Sequence, residues 1–183
     1  MTNILAFSGS MRKGNTEALT EAFLTGCKKV KGIKTKHIKL RQLKPKEECG
    51  NDECWHREKC SVKDSLSPLL EKIKETDALV LATPNYFNSV SGIFKTFIDR
   101  TNPYCKNRRF EGKKTCLIVA GGHSQEANEK AMSYLREFAR IHRLNVIEEI
   151  KILAEKKDDV QKNRKLMKET EEKGKKFAEK LNG

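Results

Sequence analysis

Apolar runs alternate with helical patterns from one end of the chain to the other. Asn3-Ile-Leu-Ala-Phe-Ser8, Ala78 to Thr83 and Lys114 to Ala120 are short, nearly continuous apolar runs, the pattern of strands covered on both faces. Ile33 to Leu40 alternates apolar and basic residues and Asn145 to Leu153 is of mixed polarity, so both read as more exposed strands. Between them lie segments with apolar residues at helical spacing. Asn15 to about Val30 gathers Ala18, Leu19, Ala22 and Phe23 on one face. Asp64 to Glu75 gathers Leu66, Leu69, Leu70 and Ile73. Ser91 to Arg100 forms a shorter helix. Gln125 to Arg143 turns Ala131, Tyr134, Leu135 and Phe138 inward. Asp158 to Leu181 reads as one long charged helix with Val160, Met167, Gly174 and Leu181 a heptad apart, beside Phe177 and Ala178.

Five strands and five helices in strict alternation imply an α/β fold, a parallel sheet with helices on both faces. The first, third and fourth strands are the most apolar and belong in the centre. The second and fifth belong at the edges, which predicts the order 2-1-3-4-5. With 183 residues, the chain fits one domain over 1–183, large enough for a core without disulfides. Only Arg41 to Lys63 lacks clear periodicity, and it is a cysteine-containing loop.

Charge and cysteines narrow the setting. The formal net charge is +13, but the lysines are spread along the whole chain with no nucleic-acid motif, so a solvated basic surface is expected. A field of that sign favours anionic small molecules. No apolar run is long enough to span a bilayer, and the start of the chain lacks the pattern of a signal peptide, so a cytoplasmic protein is expected. Of the six cysteines, Cys116 falls in an apolar strand and Cys27 late in a helix. Cys49, Cys54 and Cys60 alone are dense enough to suggest ligands.

Three loops at the carboxyl ends of predicted strands carry the candidate chemistry. Ser8 to Thr16 leads from the first strand into the first helix, where unpaired N–H groups and the helix dipole favour an anion. Ser10, Asn15 and Thr16 can add donors, and Arg12 a charge-assisted bond to phosphate. An ordinary turn with Asn15 or Thr16 as helix cap is the alternative. Thr83 to Gly92 sets Tyr86 and Phe87 at the expected switch point, suited to a flat, polar-edged ring or simply to packing under a helix. Gly121 and Gly122 allow either close approach of a ligand or a tight turn. His123 reads as a surface histidine.

Gly-Ser-Met-Arg-Lys-Gly-Asn-Thr at 9–16, Ala-Thr-Pro-Asn-Tyr-Phe-Asn-Ser-Val-Ser-Gly at 82–92 with Phe-Ile-Asp-Arg at 97–100, and Gly-Gly-His-Ser-Gln-Glu at 121–126 resemble the NAD(P)H-dependent FMN reductase family, which includes iron–sulfur flavoproteins. The resemblance covers roughly residues 1 to 150. It implies a flavodoxin-like three-layer sandwich and FMN phosphate at Ser10, Arg12, Asn15 and Thr16. It sets the isoalloxazine against Pro84, Asn85, Tyr86 and Phe87, with Gly121 and Gly122 at the other ring edge. It implies an oxidoreductase taking hydride from NAD(P)H and passing electrons to a small-molecule or redox-protein acceptor. It also implies a homo-oligomer, dimer or tetramer; the residues themselves suggest no nucleic-acid or membrane partner. The flavin carries that chemistry, so no side chain is assigned as catalytic. Acceptor choice is expected in the loops around Asn102 to Phe110 and Asn88.

Iron–sulfur flavoproteins carry four cysteines in a compact run, and the spacing of Cys54 and Cys60 matches its last two. Asn51 falls at the second place and Glu48, beside Cys49, at the first. Three readings stand: free thiols, a [4Fe–4S] cluster short of one thiolate, or zinc with His56 as fourth ligand. No metal ligand is assigned. Two further functions fit the same residues: an electron carrier in which flavin and a cluster exchange electrons, and a non-redox phosphate-binding module.

Overall fold

A computed structural model describes residues 1–47, 50 and 53–182. Its sheet has five parallel strands: β1 (Thr2–Ser8), β2 (Ile33–Lys39), β3 (Ala78–Pro84), β4 (Lys114–Gly121) and β5 (Asn145–Leu153). They lie in the order β2-β1-β3-β4-β5, as the polarity of the strands predicts. β3 is buried at every position, whereas β2 alternates, which is why one is central and the other an edge.

The principal helices are α1 (Asn15–Lys28), α5 (Gly92–Arg100), α7 (Gln125–Ile141) and α9 (Arg164–Asn182). Shorter pieces are α2 (Leu40–Leu43), α3 (Glu53–Arg57), α4 (Ser67–Lys72), α6 (Pro103–Lys106) and α8 (Asp159–Lys162). One face of the sheet packs Phe7, Leu79 and Leu117 against α4, α5 and α7. The other packs Ile4, Val80 and Ile118 against α1 and α9. The last helix therefore lies on its own sheet, against α1.

Three expectations need correction. The helix expected over 158–181 is two helices, because the side chain of Asn163 accepts from Leu166 N at 3.0 Å and starts a new one. The helix expected from Asp64 begins at Ser67, because Asp64 is its lead-in residue and accepts from the N–H groups of Leu66 and Ser67. Tyr134 does not face inward: it is 53% exposed, at the margin of the stripe formed by Ala131, Leu135 and Phe138.

One buried group sets an acid response. His142 stacks on Phe110 at 4.4 Å and is 4% exposed. The Thr101 hydroxyl donates to Ile98 O and so receives Nε2–H of His142 at 2.9 Å. Burial depresses the imidazole to about 4, so it is neutral in the native state. The unfolded chain binds the extra proton first. Stability is therefore complete above about pH 6.5 and falls by up to about 3 kcal/mol as the pH drops toward 4. Denaturant melts across that range are expected to show this slope, and His142→Gln to flatten it.

Candidate functional site

The three loops singled out in the sequence meet at the carboxyl edge of the sheet. Gly9 N donates to Ala82 O, Asn85 N to Ala120 O, and Ala154 N to Gly121 O, so each strand end is tied to the next. Ser91 fastens the first loop to the second. Its hydroxyl donates to Gly9 O at 2.7 Å and accepts from Phe94 N at the start of α5. A Cβ on Gly9 would stand 2.6 Å from Phe94 Cβ, so this approach requires glycine.

The start of α1 differs from the starts of its neighbours. α5 and α7 are capped by Ser91 and Ser124, each accepting from a first-turn N–H. α1 has Gly14 at the cap position and no side-chain acceptor, so its leading N–H groups stay available. Neither Asn15 nor Thr16 caps it. Ser10 is buried, and its hydroxyl closes on the loop itself, donating to Arg12 O and accepting from Arg12 N. The guanidinium of Arg12 makes no ion pair or hydrogen bond among the described residues. Asn15 spends its side chain on distant backbone: Nδ2 donates to Lys156 O and Oδ1 accepts from Val160 N. Thr16 is buried.

Below this loop lies a charged cluster that the motifs did not reveal. Glu17, in the first turn of α1, is 1% exposed and paired with Lys39 Nζ at 2.6 Å and with Arg41 Nη1. Burial pushes its carboxyl up, but the bonds from Arg41 and Lys39 outweigh that and hold it below the usual range.

In the second loop, Pro84 is buried at the end of β3. Tyr86 and Ser89 exchange two backbone bonds at 3.0 Å around Phe87 and Asn88, whose φ values are 52° and 63°. That is the left-handed pattern of a tight hairpin turn, costly for a residue as bulky as phenylalanine. The Phe87 ring is wholly exposed and Tyr86 40% exposed, so neither packs under the neighbouring helix.

Asn128, fully buried on α7, binds the strand ends together. Its Nδ2 donates to Gly121 O and Ile152 O, which leaves Oδ1 to accept from Asn85 Nδ2 at 3.1 Å. Asn85 Oδ1 is then buried without a partner among the described residues. A Cβ on Gly121 would collide with Asn128 Oδ1 and Asn85, and one on Gly122 with Glu155 Cα at 2.8 Å. The close approach these glycines permit is thus to protein atoms. His123 is exposed.

Cys49 lies outside the described residues, as do Glu48, Asn51 and Asp52. Cys60 Sγ accepts from Arg100 Nε at 3.0 Å. Among the described residues, no three His, Cys, Asp or Glu side chains converge as a metal site. Cys27 and Cys116 are core residues, and Cys105 faces His142. No helix among the described residues is long and apolar enough to cross a membrane.

Comparison with known proteins gives the chain's family and fold. An iron–sulfur flavoprotein of Archaeoglobus fulgidus is 38% identical over 125 residues; the match covers 65% of this chain but only 61% of that relative's length. A putative NAD(P)H-dependent FMN-containing oxidoreductase of Bacillus subtilis is 28% identical, covering 73% of this chain and 72% of its own. The solved structure of a flavone reductase superposes with a TM-score of 0.76 over 99% of this chain and 63% of that one, at 20% identity, a likeness of fold. Residues 2–159 match the model of the NADPH-dependent FMN reductases, a span that runs through all five strands and all three loops. By that match, the chain belongs to the NADPH-dependent FMN reductase family.

Proposed function

We propose that the chain is an FMN-dependent oxidoreductase that takes electrons from NAD(P)H and passes them to a small-molecule or redox-protein acceptor. The observation that carries this reading is the uncapped start of α1 beside an Arg12 guanidinium without a partner among the described residues, in a chain of this family. The residues present fit the cofactor. Leading N–H groups and the Arg12 guanidinium form a donor set for a phosphomonoester, and the Ser10 hydroxyl, spent on Arg12 O, shapes the loop that presents them. Asn15 adds its backbone N–H alone, because its side chain is spent, and Thr16 adds a donor at the same turn.

Pro84, Asn85, Tyr86 and Phe87 border the ring in this reading, with Gly121 and Gly122 at its other edge. The orphaned Asn85 Oδ1 is an acceptor that a polar ring edge can satisfy. The exposed rings of Tyr86 and Phe87 cover apolar surface and exclude water once a ligand lies against them. Bound FMN supplies the centre that accepts hydride and releases electrons. The chain holds the phosphate and orients the ring, and no side-chain acid or base is assigned.

The test is titration of purified protein with FMN, followed by anaerobic addition of NADPH or NADH. One FMN per chain and bleaching by a nicotinamide are expected; protein that takes up no FMN overturns the reading. Arg12→Gln is expected to weaken FMN about tenfold or more and to leave riboflavin, which has no phosphate, nearly unchanged.

An electron carrier with an iron–sulfur centre is the second reading, drawn from the relatives named iron–sulfur flavoproteins. Cys49 lies outside the described residues, and Cys60 accepts from Arg100. Iron and sulfide analysis of anaerobically purified protein decides it. We also read the chain as a cytoplasmic homo-oligomer. Cys27 and Cys116 are buried core residues, and Tyr134 and Ile141 stand exposed beside a cavity of about 520 Å³ between α5 and α7. Light scattering tests the assembly.

A further inference from the structure

We infer that Arg41 and Lys39 are positioning residues of the phosphate site: they bind and neutralise Glu17, the buried carboxylate in the first turn of α1, and so keep that helix end attractive to an anion. This rests on the FMN reading above. Neither cation belongs to the loop of residues 9–16. Lys39 ends β2, in register with Ser8, and Arg41 follows in α2.

A helix N-terminus favours negative charge, and Glu17 already occupies that favourable place. A phosphate at the same end meets a second anion. Because Glu17 is buried, salt in solvent screens it poorly. Its charge has to be cancelled by protein groups. Lys39 Nζ lies 2.6 Å from Glu17 and 2.9 Å from Glu21, so it is shared between two carboxylates. Arg41 is therefore the cation that decides the balance. The same guanidinium nitrogen lies 3.5 Å from Ser10 O, which links the ion pair to the backbone of the phosphate loop. His37, 3.0 Å from the Ser8 hydroxyl, adds no positive charge: burial and the nearby Lys39 hold it below its usual range.

The test compares FMN with riboflavin across Arg41→Met, Glu17→Gln and the double variant. Arg41→Met is expected to lose about tenfold in FMN affinity, the size of one uncompensated charge at a partly buried site, with riboflavin within about twofold. The double variant removes one charge of each sign and is expected to return to within about threefold of the parent. Glu17→Gln alone is expected to bind FMN several-fold more tightly. It keeps the side-chain shape, so it decides the matter even where Arg41→Met does not fold.

A double variant as weak as Arg41→Met overturns the inference, because Arg41 would then hold the phosphate itself. Equal losses for FMN and riboflavin also overturn it, as does a Glu17→Gln protein with unchanged or weaker FMN binding. A parent protein that takes up no FMN overturns the functional reading together with this inference. One that binds FMN but fails the pattern overturns this inference alone.

Discussion

Replacing Gly174 with alanine is expected to cost about 3 kcal/mol and to lower the melting temperature by about 6–12 °C. The expectation runs against helix propensity, since an alanine inside a helix is worth up to about 1 kcal/mol over glycine. Packing decides the sign. A Cβ on Gly174 would collide with Phe23 O and stand 2.8 Å from Phe23 C. Facing it, a Cβ on Gly26 would collide with Glu171 O and stand 2.7 Å from Glu171 C. Each glycine of one helix thus meets the backbone of the other, where no side-chain rotation gives relief. Cys27 Sγ reaches Gly174 O at 3.2 Å across the same contact. The helices would have to separate, opening the layer in which Phe23 and Phe177 meet at 5.3 Å. Gly92→Ala is the control: it starts α5 with nothing near its Cβ position and is expected to melt within about 2 °C of the parent. A Gly174→Ala protein as stable as this control would refute the account.

That contact also bears on the loop at the other end of α1. Asn15 reaches Lys156 O and Val160 N, so the segment before α9 and the start of α1 are joined twice. Destabilisation at Gly174 is expected to reach the anion site through these links. None of this was legible in the sequence. Gly174 fell on the heptad stripe as a position, but its partner lies in a helix far away in the chain. Strand order was legible because burial on two faces leaves continuous apolar runs, as in Ala78 to Thr83, and burial on one leaves alternation, as in Ile33 to Leu40. The break at Asn163 had a local signal, a cap residue ahead of an apolar-periodic run, which the heptad outweighed. Tyr134 was misplaced because it lies one position off the stripe of Ala131, Leu135 and Phe138, at its solvent margin. The three loops could be placed by their position after strands. What their side chains do could not. Glu17 meets Arg41 across 24 residues, and Asn85 meets Asn128 across 43. Asn128 alone left a trace, as a polar residue next to Ala127 on the apolar side of α7.

Arg100→Met is expected to be as damaging as Gly174→Ala or more so, at about 3–5 kcal/mol, and to release the cysteine-containing loop rather than the helix pair. The Arg100 side chain is fully buried at the end of α5, and every nitrogen is used. Nε donates to Cys60 Sγ, Nη1 to Asp64 Oδ2 at 2.7 Å and Lys46 O at 3.0 Å, and Nη2 to Asp64 Oδ1, Val62 O and Ser67 Oγ. Lysine cannot reproduce this planar fork, so Arg100→Lys is expected to recover little. Burial would raise the carboxyl of Asp64, but the Arg100 guanidinium and the Lys46 and Ser67 N–H groups hold it far below the usual range. Its contribution is therefore complete above about pH 4 and lost as the pH falls below that, so the variant should lose part of the parent's sensitivity to strong acid. Limited proteolysis should show cleavage between residues 54 and 64 in the variant and protection there in the parent. The anion site is expected to be spared. α5 runs nine residues from Gly92 to Arg100, about 13 Å, and its other end carries the Ser91 bond to Gly9. FMN affinity within about threefold of the parent, measured well below the variant's melting point, would show that the loop is fastened independently of the site. A parallel fall in affinity would show that Arg100 and Ser91 transmit one constraint along the helix between them.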